Sequence, residues 1–207
     1  MRVKICGITC PEDAEFVEAA GADAVGFIFA KRSKRYLTLE RAREISAVLG
    51  PFVARVGVFV DAPLEEVRRV VTTLRLAAVQ LHGQEEPAYA AALRSSVRVI
   101  RAVSFTPGLS LERLNRFPAD AFLLDGLEPG RGRAFEWSQA TAFKALPKLV
   151  LAGGLTPENV GAAVATLEPY AVDVASGVES APGIKDHQKI EAFIRAARGA
   201  VAREGVG

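Results

Sequence analysis

A cysteine, an aspartate, a histidine and several glycine-rich steps stand at the trailing ends of apolar runs in this chain, where α/β folds place their chemistry. Cys6 closes the run that begins at Arg2, and Asp125 follows Ala121–Leu124. A thiol and a carboxyl facing each other across a ligand can act as general base and general acid. Taken singly, Cys6 also reads as a small buried hydrophobe, and Asp125 as a turn residue or helix cap before Gly126. His82, in L-H-G, either hydrogen-bonds a substrate or merely closes its strand. Gly153-Gly154 and Ser176-Gly177 end two later runs as A-G-G-L and A-S-G-V. Glycine immediately before a helix start lets backbone N–H groups approach a phosphate, and the plain alternative is a tight turn. Arg35, in K-R-S-K-R-Y, can grip a carboxylate with two N–H groups or stay solvated. His187 begins the last helix and receives no role.

Such residues meet only if the strands that carry them share one end of a sheet. Eight short apolar runs can be read, each trailed by a candidate helix. The strands are Arg2–Ile8, Ala22–Phe29, Ala54–Val60, Leu76–Leu81, Val97–Val103, Ala121–Leu124, Leu149–Leu151 and Ala171–Val174. The helices are Pro11–Ala20, Leu39–Leu49, Leu64–Leu74, Glu85–Leu93, Leu109–Asn115, Trp137–Lys144, Pro157–Thr166 and Asp186–Ala202. Pro11 suits a first helical turn, with Thr9 or Cys10 in the cap position and Glu12 and Asp13 complementing the helix dipole. Nearly continuous apolar strands imply burial on both faces, as in a parallel sheet covered by helices. An open doubly wound sheet and a closed barrel compete; no G-x-G-x-x-G follows the first strand, and eight units is the closing number. The reading is α/β, a single (β/α)8 TIM barrel spanning residues 1–207, whose mouth collects Cys6, Arg35, His82, Asp125, Gly153, Gly154, Ser176 and Gly177.

Composition narrows the function classes. A chain of 207 residues, half hydrophobic and a quarter charged, has the balance of an ordinary globular domain. A net charge of +2 is too small to imply nucleic acid or a membrane surface as partner. Arginine outnumbers lysine by 19 to 7, a profile that suits a thermophile and a GC-rich genome equally. The two cysteines, Cys6 and Cys10, are no disulfide framework, and the two histidines, His82 and His187, are too scattered for a zinc site. No apolar run reaches the length of a membrane span. A cytoplasmic protein without leader, metal or fused second enzyme is expected. Phe52 and Phe143 are candidates for a homodimer face or for ordinary packing.

Several motifs in order carry a resemblance: K-I-C-G-I-T, G-A-D-A-V-G-F-I-F followed by S-x-R-Y, V-G-V-F-V, Q-L-H-G, L-L-D, L-A-G-G-L-x-P-x-N-V and V-D-V-x-S-G-V-E-x-x-P-G-x-K-D. Together, from Lys4 to Asp186, they resemble phosphoribosylanthranilate isomerase. That family is a (β/α)8 barrel of tryptophan biosynthesis performing an Amadori rearrangement on a small phosphoribosyl substrate without metal or organic cofactor. The resemblance implies Cys6 as general base and Asp125 as general acid, with Arg35 on the anthranilate carboxylate. It places His82 and Asp173 near the sugar, and Gly153, Gly154, Ser176 and Gly177 on the phosphate. Two positions depart from the family pattern. A G-G-T-G-like loop is replaced by G-R-G-R at Gly130–Arg133, and Ala175 lacks a hydroxyl usual before S-G.

The residue types fit that chemistry. An acid at the ribose ring oxygen must be protonated part of the time, so Asp125 needs a pKa above the usual value of about 3.9. A thiolate at Cys6, activated by Lys4 or a helix N-terminus, can remove the C2 proton of the resulting Schiff base. Two other readings stand beside this one. A non-catalytic phosphate-sugar binding barrel would need neither thiol nor carboxyl. A sister isomerase acting on a phosphoribosyl amino-imidazole typically pairs two aspartates, whereas the first position here is a cysteine.

Overall fold

Strands buried on both faces can bond only to other strands, and eight of them at this spacing close on themselves. The computed structural model describes residues 1–106, 108–126 and 136–202. Its strands are β1 (Arg2–Cys6), β2 (Ala24–Ile28), β3 (Ala54–Phe59), β4 (Ala78–Leu81), β5 (Arg98–Ser104), β6 (Ala121–Asp125), β7 (Leu149–Leu151) and β8 (Ala171–Val174). They form a closed barrel in chain order, every described pair parallel, with β8 returning to β1 through Lys4 opposite Asp173. The (β/α)8 expectation holds.

The surrounding helices are α1 (Pro11–Ala19), α2 (Leu39–Ala47), α3 (Leu64–Leu74), α4 (Pro87–Arg94), α5 (Leu111–Asn115), α6 (Val160–Leu167) and α7 (His187–Ala202). The main apolar core lies between these helices and the outer faces of the strands, around Phe27, Phe59, Phe122 and Phe193. A smaller apolar cluster fills the barrel itself: Ala102, Ala121, Leu123, Val150, Ala152 and Ala171. The interior of an eight-stranded barrel is just wide enough for side chains to fill, so it is a packed core and not a pore.

Several boundaries move, each for a local reason. β1 stops at Cys6 rather than Ile8 because Gly7 turns to φ +74°, a left-handed conformation glycine adopts freely. Cys10 is the N-cap of α1 but makes no side-chain cap bond, and the Thr9 hydroxyl instead donates to the Gly183 carbonyl at 2.6 Å. Trp137–Ala145 is a 3₁₀ helix, with no side chain capping its start. The helix expected from Pro157 begins at Val160, because Asn159 accepts from the Thr156 N–H at 2.7 Å and donates to the Gly154 carbonyl at 2.8 Å, closing the preceding residues into a loop. After β8, a short 3₁₀ turn (Ser176–Val178) leads into an unexpected hairpin of β9 (Glu179–Ala181) and β10 (Ile184–Lys185). Pro182-Gly183, with Gly183 at φ +84°, is the turn signal that announces it. Phe143, a candidate for a dimer face, is buried and packs edge-on against Phe105. Phe52 is 95% exposed.

Aspartates staple the closed end of the barrel. Asp23 accepts the Val3 N–H at 2.8 Å, and Asp120 accepts the Val99 N–H at 2.9 Å while pairing with Arg94 and Arg98. Burial pushes the Asp120 carboxyl up, but the Val99 N–H and the two guanidinium groups outweigh it and hold the carboxyl below its ordinary value. A depressed carboxylate stabilises the fold at pH values above its unfolded pKa, and that contribution is lost as pH falls through the folded pKa. Asp120→Asn is therefore expected to lower the thermal midpoint at pH 7, with the difference from wild type shrinking as the carboxylate range is crossed downward. Calorimetry across that range checks it; a constant difference would mean that the charge contributes nothing.

Candidate active site

Residues at alternate positions of a strand share a face, so Lys4 and Cys6 both follow the inward side of β1. The Lys4 ammonium spans the barrel interior, donating to Asp173 Oδ2 on β8 at 2.9 Å and to Gln80 Oε1 on β4 at 3.1 Å. All four side chains are buried. A buried charge left unpaired is strongly destabilising, and here each of the two opposite charges is held by the other. Burial pushes Lys4 down, yet Asp173 and Cys6 raise it beyond its usual value, so the ammonium stays charged. Burial pushes the Cys6 thiol up; Lys4 and Lys185 pull it back, while Asp173 opposes them, and the net direction is upward. Lys4 therefore lies beside the thiol and pulls its pKa down, but less than burial pushes it up.

Space for the sulfur comes from β2. Gly26 is the register partner of Cys6, and a Cβ there would lie 2.6 Å from Cys6 Sγ.

The same ammonium orients the far side of the mouth. It can only donate, so the Gln80 carbonyl faces it and the Gln80 amide nitrogen points to His82 Nδ1, 3.4 Å away. That network assigns the acceptor role to Nδ1 and the proton to Nε2. His82 Nε2 lies 3.4 Å from Asp125 Oδ2 and makes no hydrogen bond among the described residues; Asp173 Oδ1 is likewise buried without a partner. Buried unpaired polar atoms are uncommon, and two at one mouth mark where a polar ligand group fits.

Asp125 is buried at the end of β6, its Oδ1 accepting the Gly126 N–H at 2.8 Å. β1 and β6 are three strands apart one way around the barrel and five the other, so Cys6 and Asp125 come from nearly opposite walls. Gly153 is at φ +80°, and a Cβ on it would meet Gly126 N at 2.1 Å and Asp125 Oδ1 at 2.8 Å. A Cβ on Gly177 would lie 1.9 Å from the Leu155 carbonyl. The glycine endings of β7 and β8 therefore interlock with each other and with the Asp125 turn. They do not lead directly into helices as the sequence reading held: α6 starts at Val160, and Ser176 opens only the short 3₁₀ turn.

Arg35 is not a solvated loop residue. It is buried over Gly7, where a Cβ would lie 2.4 Å from Arg35 Cδ, and its Nε and Nη2 donate to the two Glu179 oxygens, each at 2.6 Å. Lys185 Nζ joins them, donating to Glu179 Oε1 at 3.0 Å and to the Cys6 and Ala175 carbonyls at 2.8 and 3.0 Å. Lys4, Gln80, Glu179 and Lys185 thus surround the expected site residues; of these only Lys4 was singled out in the sequence, as a candidate activator of Cys6. Lys185 and Glu179 carry a signal nonetheless, as charged residues flanking a Pro-Gly turn. His187 stacks on Phe16 and bonds Asp13 at 2.9 Å, outside the mouth. No group of three or more His, Cys, Asp and Glu side chains able to hold a metal occurs among the described residues. Gly130–Arg133 lies outside the described residues.

Residues 3–196 match the family described as N-(5'phosphoribosyl)anthranilate (PRA) isomerase. An N-(5'-phosphoribosyl)anthranilate isomerase of Geobacter sp. strain M21 is 48% identical, over 95% of this chain and 98% of its own length. A phosphoribosyl anthranilate isomerase solved in complex with reduced 1-(o-carboxyphenylamino)-1-deoxyribulose 5-phosphate is 46% identical and superposes with a TM-score of 0.89, covering 96% of this chain and 99% of that one. Monomers generated from the dimeric phosphoribosylanthranilate isomerase of Thermotoga maritima are 44% identical, with a TM-score of 0.88 and the same coverage.

The Lys4–Asp173 pair makes a direct stability prediction. Lys4→Met strands the Asp173 carboxylate and is expected to cost about 3–5 kcal/mol in urea unfolding. Lys4→Met/Asp173→Asn should cost clearly less than the sum of the two single changes. Additive losses would mean that the two charges do not act as a pair.

Proposed function

The chain belongs to the N-(5'-phosphoribosyl)anthranilate isomerase family, and we propose that Cys6 and Asp125 are the base and acid of its reaction. The protein is an isomerase that converts N-(5-phosphoribosyl)anthranilate to 1-(2-carboxyphenylamino)-1-deoxyribulose 5-phosphate in tryptophan biosynthesis. The observation that carries the residue assignment is the burial of a thiol and a carboxyl on opposed walls of one barrel mouth, with two unpaired polar atoms beside them.

Protonated Asp125 gives its proton to the ribose ring oxygen as the nitrogen lone pair expels it, opening the ring to an iminium ion. Cys6, its thiol proton given to solvent, then takes the C2 proton as a thiolate, and the electron pair left behind forms the enolamine. Protonation at C1 and loss of the C2 hydroxyl proton yield the ketose. Lys4 and Lys185 favour the thiolate against the burial that opposes it. A sugar hydroxyl that donates to Asp173 Oδ1 and accepts from His82 Nε2–H would satisfy both unpaired atoms. The phosphate sits at the interlocked endings Gly153-Gly154 and Ser176-Gly177, held by backbone N–H groups as nests hold anions. Ala175 contributes no hydroxyl there. No helix among the described residues is long and apolar enough to cross a membrane, and the reading is of one barrel domain in the cytoplasm acting on a small molecule.

Assembly as a homodimer belongs to the same reading. Phe52, between α2 and β3, is 95% exposed, and the Thermotoga maritima relative is described as dimeric. A second copy covering Phe52 would remove that apolar surface from water.

Two measurements test this reading. With substrate generated in situ, loss of phosphoribosylanthranilate fluorescence should be rapid for wild type, and Cys6→Ser or Asp125→Asn should lower turnover about 10²–10⁴-fold without unfolding the protein. Near-normal turnover in either variant would remove that residue from its role, and wild-type decay no faster than spontaneous hydrolysis would refute the activity. Light scattering should return twice the 22.0 kDa chain mass, falling to one copy in Phe52→Asp. A wild-type monomer would overturn the dimer.

A further inference from the structure

A guanidinium is planar and carries five N–H donors, so it can offer two forked edges to two carboxylates. Glu179 takes one edge of Arg35, through Nε and Nη2, each at 2.6 Å. The other edge, formed by Nη1 and the second N–H of Nη2, has no partner among the described residues. Glu179 is itself fixed, because Lys185 Nζ donates to its Oε1 at 3.0 Å. All three Lys185 donors are used, the others on the Cys6 carbonyl at 2.8 Å and the Ala175 carbonyl at 3.0 Å. Lys185 therefore has nothing to offer a ligand; it ties Glu179 to the ends of β1 and β8. The cluster is buried, with two cations against one carboxylate. A surplus buried cation is unfavourable until an anion joins it.

We propose that Glu179 is a positioning residue for the substrate carboxylate: it clamps one edge of Arg35 so that the other edge receives the carboxylate, at a distance from Cys6 set by Lys185. This rests on the isomerase reading above. The chain of contacts runs from the carboxylate subsite to the strand end that carries the base. The expected loss is therefore in holding the carboxylate, which is read in KM, and not in the chemical step. Burial pushes the Glu179 carboxyl up, but Arg35 and Lys185 hold it below its ordinary value, consistent with a carboxylate that stays charged as the substrate arrives.

The test compares the full-length wild type with Glu179→Gln on two substrates, N-(5-phosphoribosyl)anthranilate and its carboxylate-free counterpart N-(5-phosphoribosyl)aniline, each made by condensing ribose 5-phosphate with the amine. Wild type should favour the carboxylated substrate in kcat/KM. In Glu179→Gln, KM for that substrate should rise about tenfold, with kcat changed by no more than about threefold and the aniline substrate little affected, so that the preference collapses. An equal fall on both substrates would assign Glu179 a merely structural role and overturn the proposal. So would a lower KM for the anthranilate substrate, which is what the added net positive charge alone would produce, or no change on either. If Glu179→Gln does not fold, Glu179→Asp keeps the charge, withdraws the carboxylate by one methylene and must reduce the preference several-fold. Wild type inactive on both substrates would refute the isomerase reading itself, an outcome distinct from those above.

Discussion

The mouth of the barrel is organised by one buried ammonium group. Lys4 lies inside the ring of strands, where its charge must be answered by protein groups, and Asp173 and Gln80 answer it from two other strands. Because a lysine only donates, this contact decides which end of the Gln80 amide faces inward. That orientation in turn sets which nitrogen of His82 carries its proton. The proposed base, Cys6, on one wall and His82 on another are thus referred to a single buried charge. An apolar side chain at position 4 would pack the barrel but would orient neither.

A second charged cluster lies on the other side of Cys6, in the loops rather than in the barrel. Arg35, Glu179 and Lys185 come from the loop after β2 and from the hairpin after β8, yet all converge on the end of β1. Cys6 therefore stands between two buried cations, one beneath its side chain and one at its carbonyl. Their combined pull lowers the cost of charging the buried sulfur, as the proposed base role requires, while burial still holds the resting thiol above its ordinary value. A thiol kept protonated at rest is protected from oxidation and alkylation, which act on thiolates.

Close approach is the third element. Gly26 leaves room for Cys6 Sγ, Gly153 lets the turn after β7 lie against Asp125, and Gly177 admits the Leu155 carbonyl. These glycines serve the site by what they leave out. The same glycines explain why the proposed phosphate end is built from interlocked turns instead of from a helix start: the backbone segments are already in contact.

Much of the fold was legible in the amino-acid sequence. Eight apolar runs separated by amphipathic segments leave few ways to bury both strand faces, and α3, β7 and β8 fall on the residues the pattern marks. Residue type and place at a strand end or in a loop brought Cys6, Asp125, Arg35 and His82 forward as site residues, because these are local properties, and the family resemblance added Asp173. The tertiary structure alone decided what those residues touch. That Arg35 meets Glu179 across 144 positions, that Lys4 meets Asp173 across 169, and that Gly153 is small for the sake of Asp125 are consequences of closing the barrel. Pairing across such separations depends on register and on which side chains face inward together. A linear pattern records the inward face of each strand but not which inward residues share a layer, and in a dry interior it is that sharing which determines charge, tautomer and orientation.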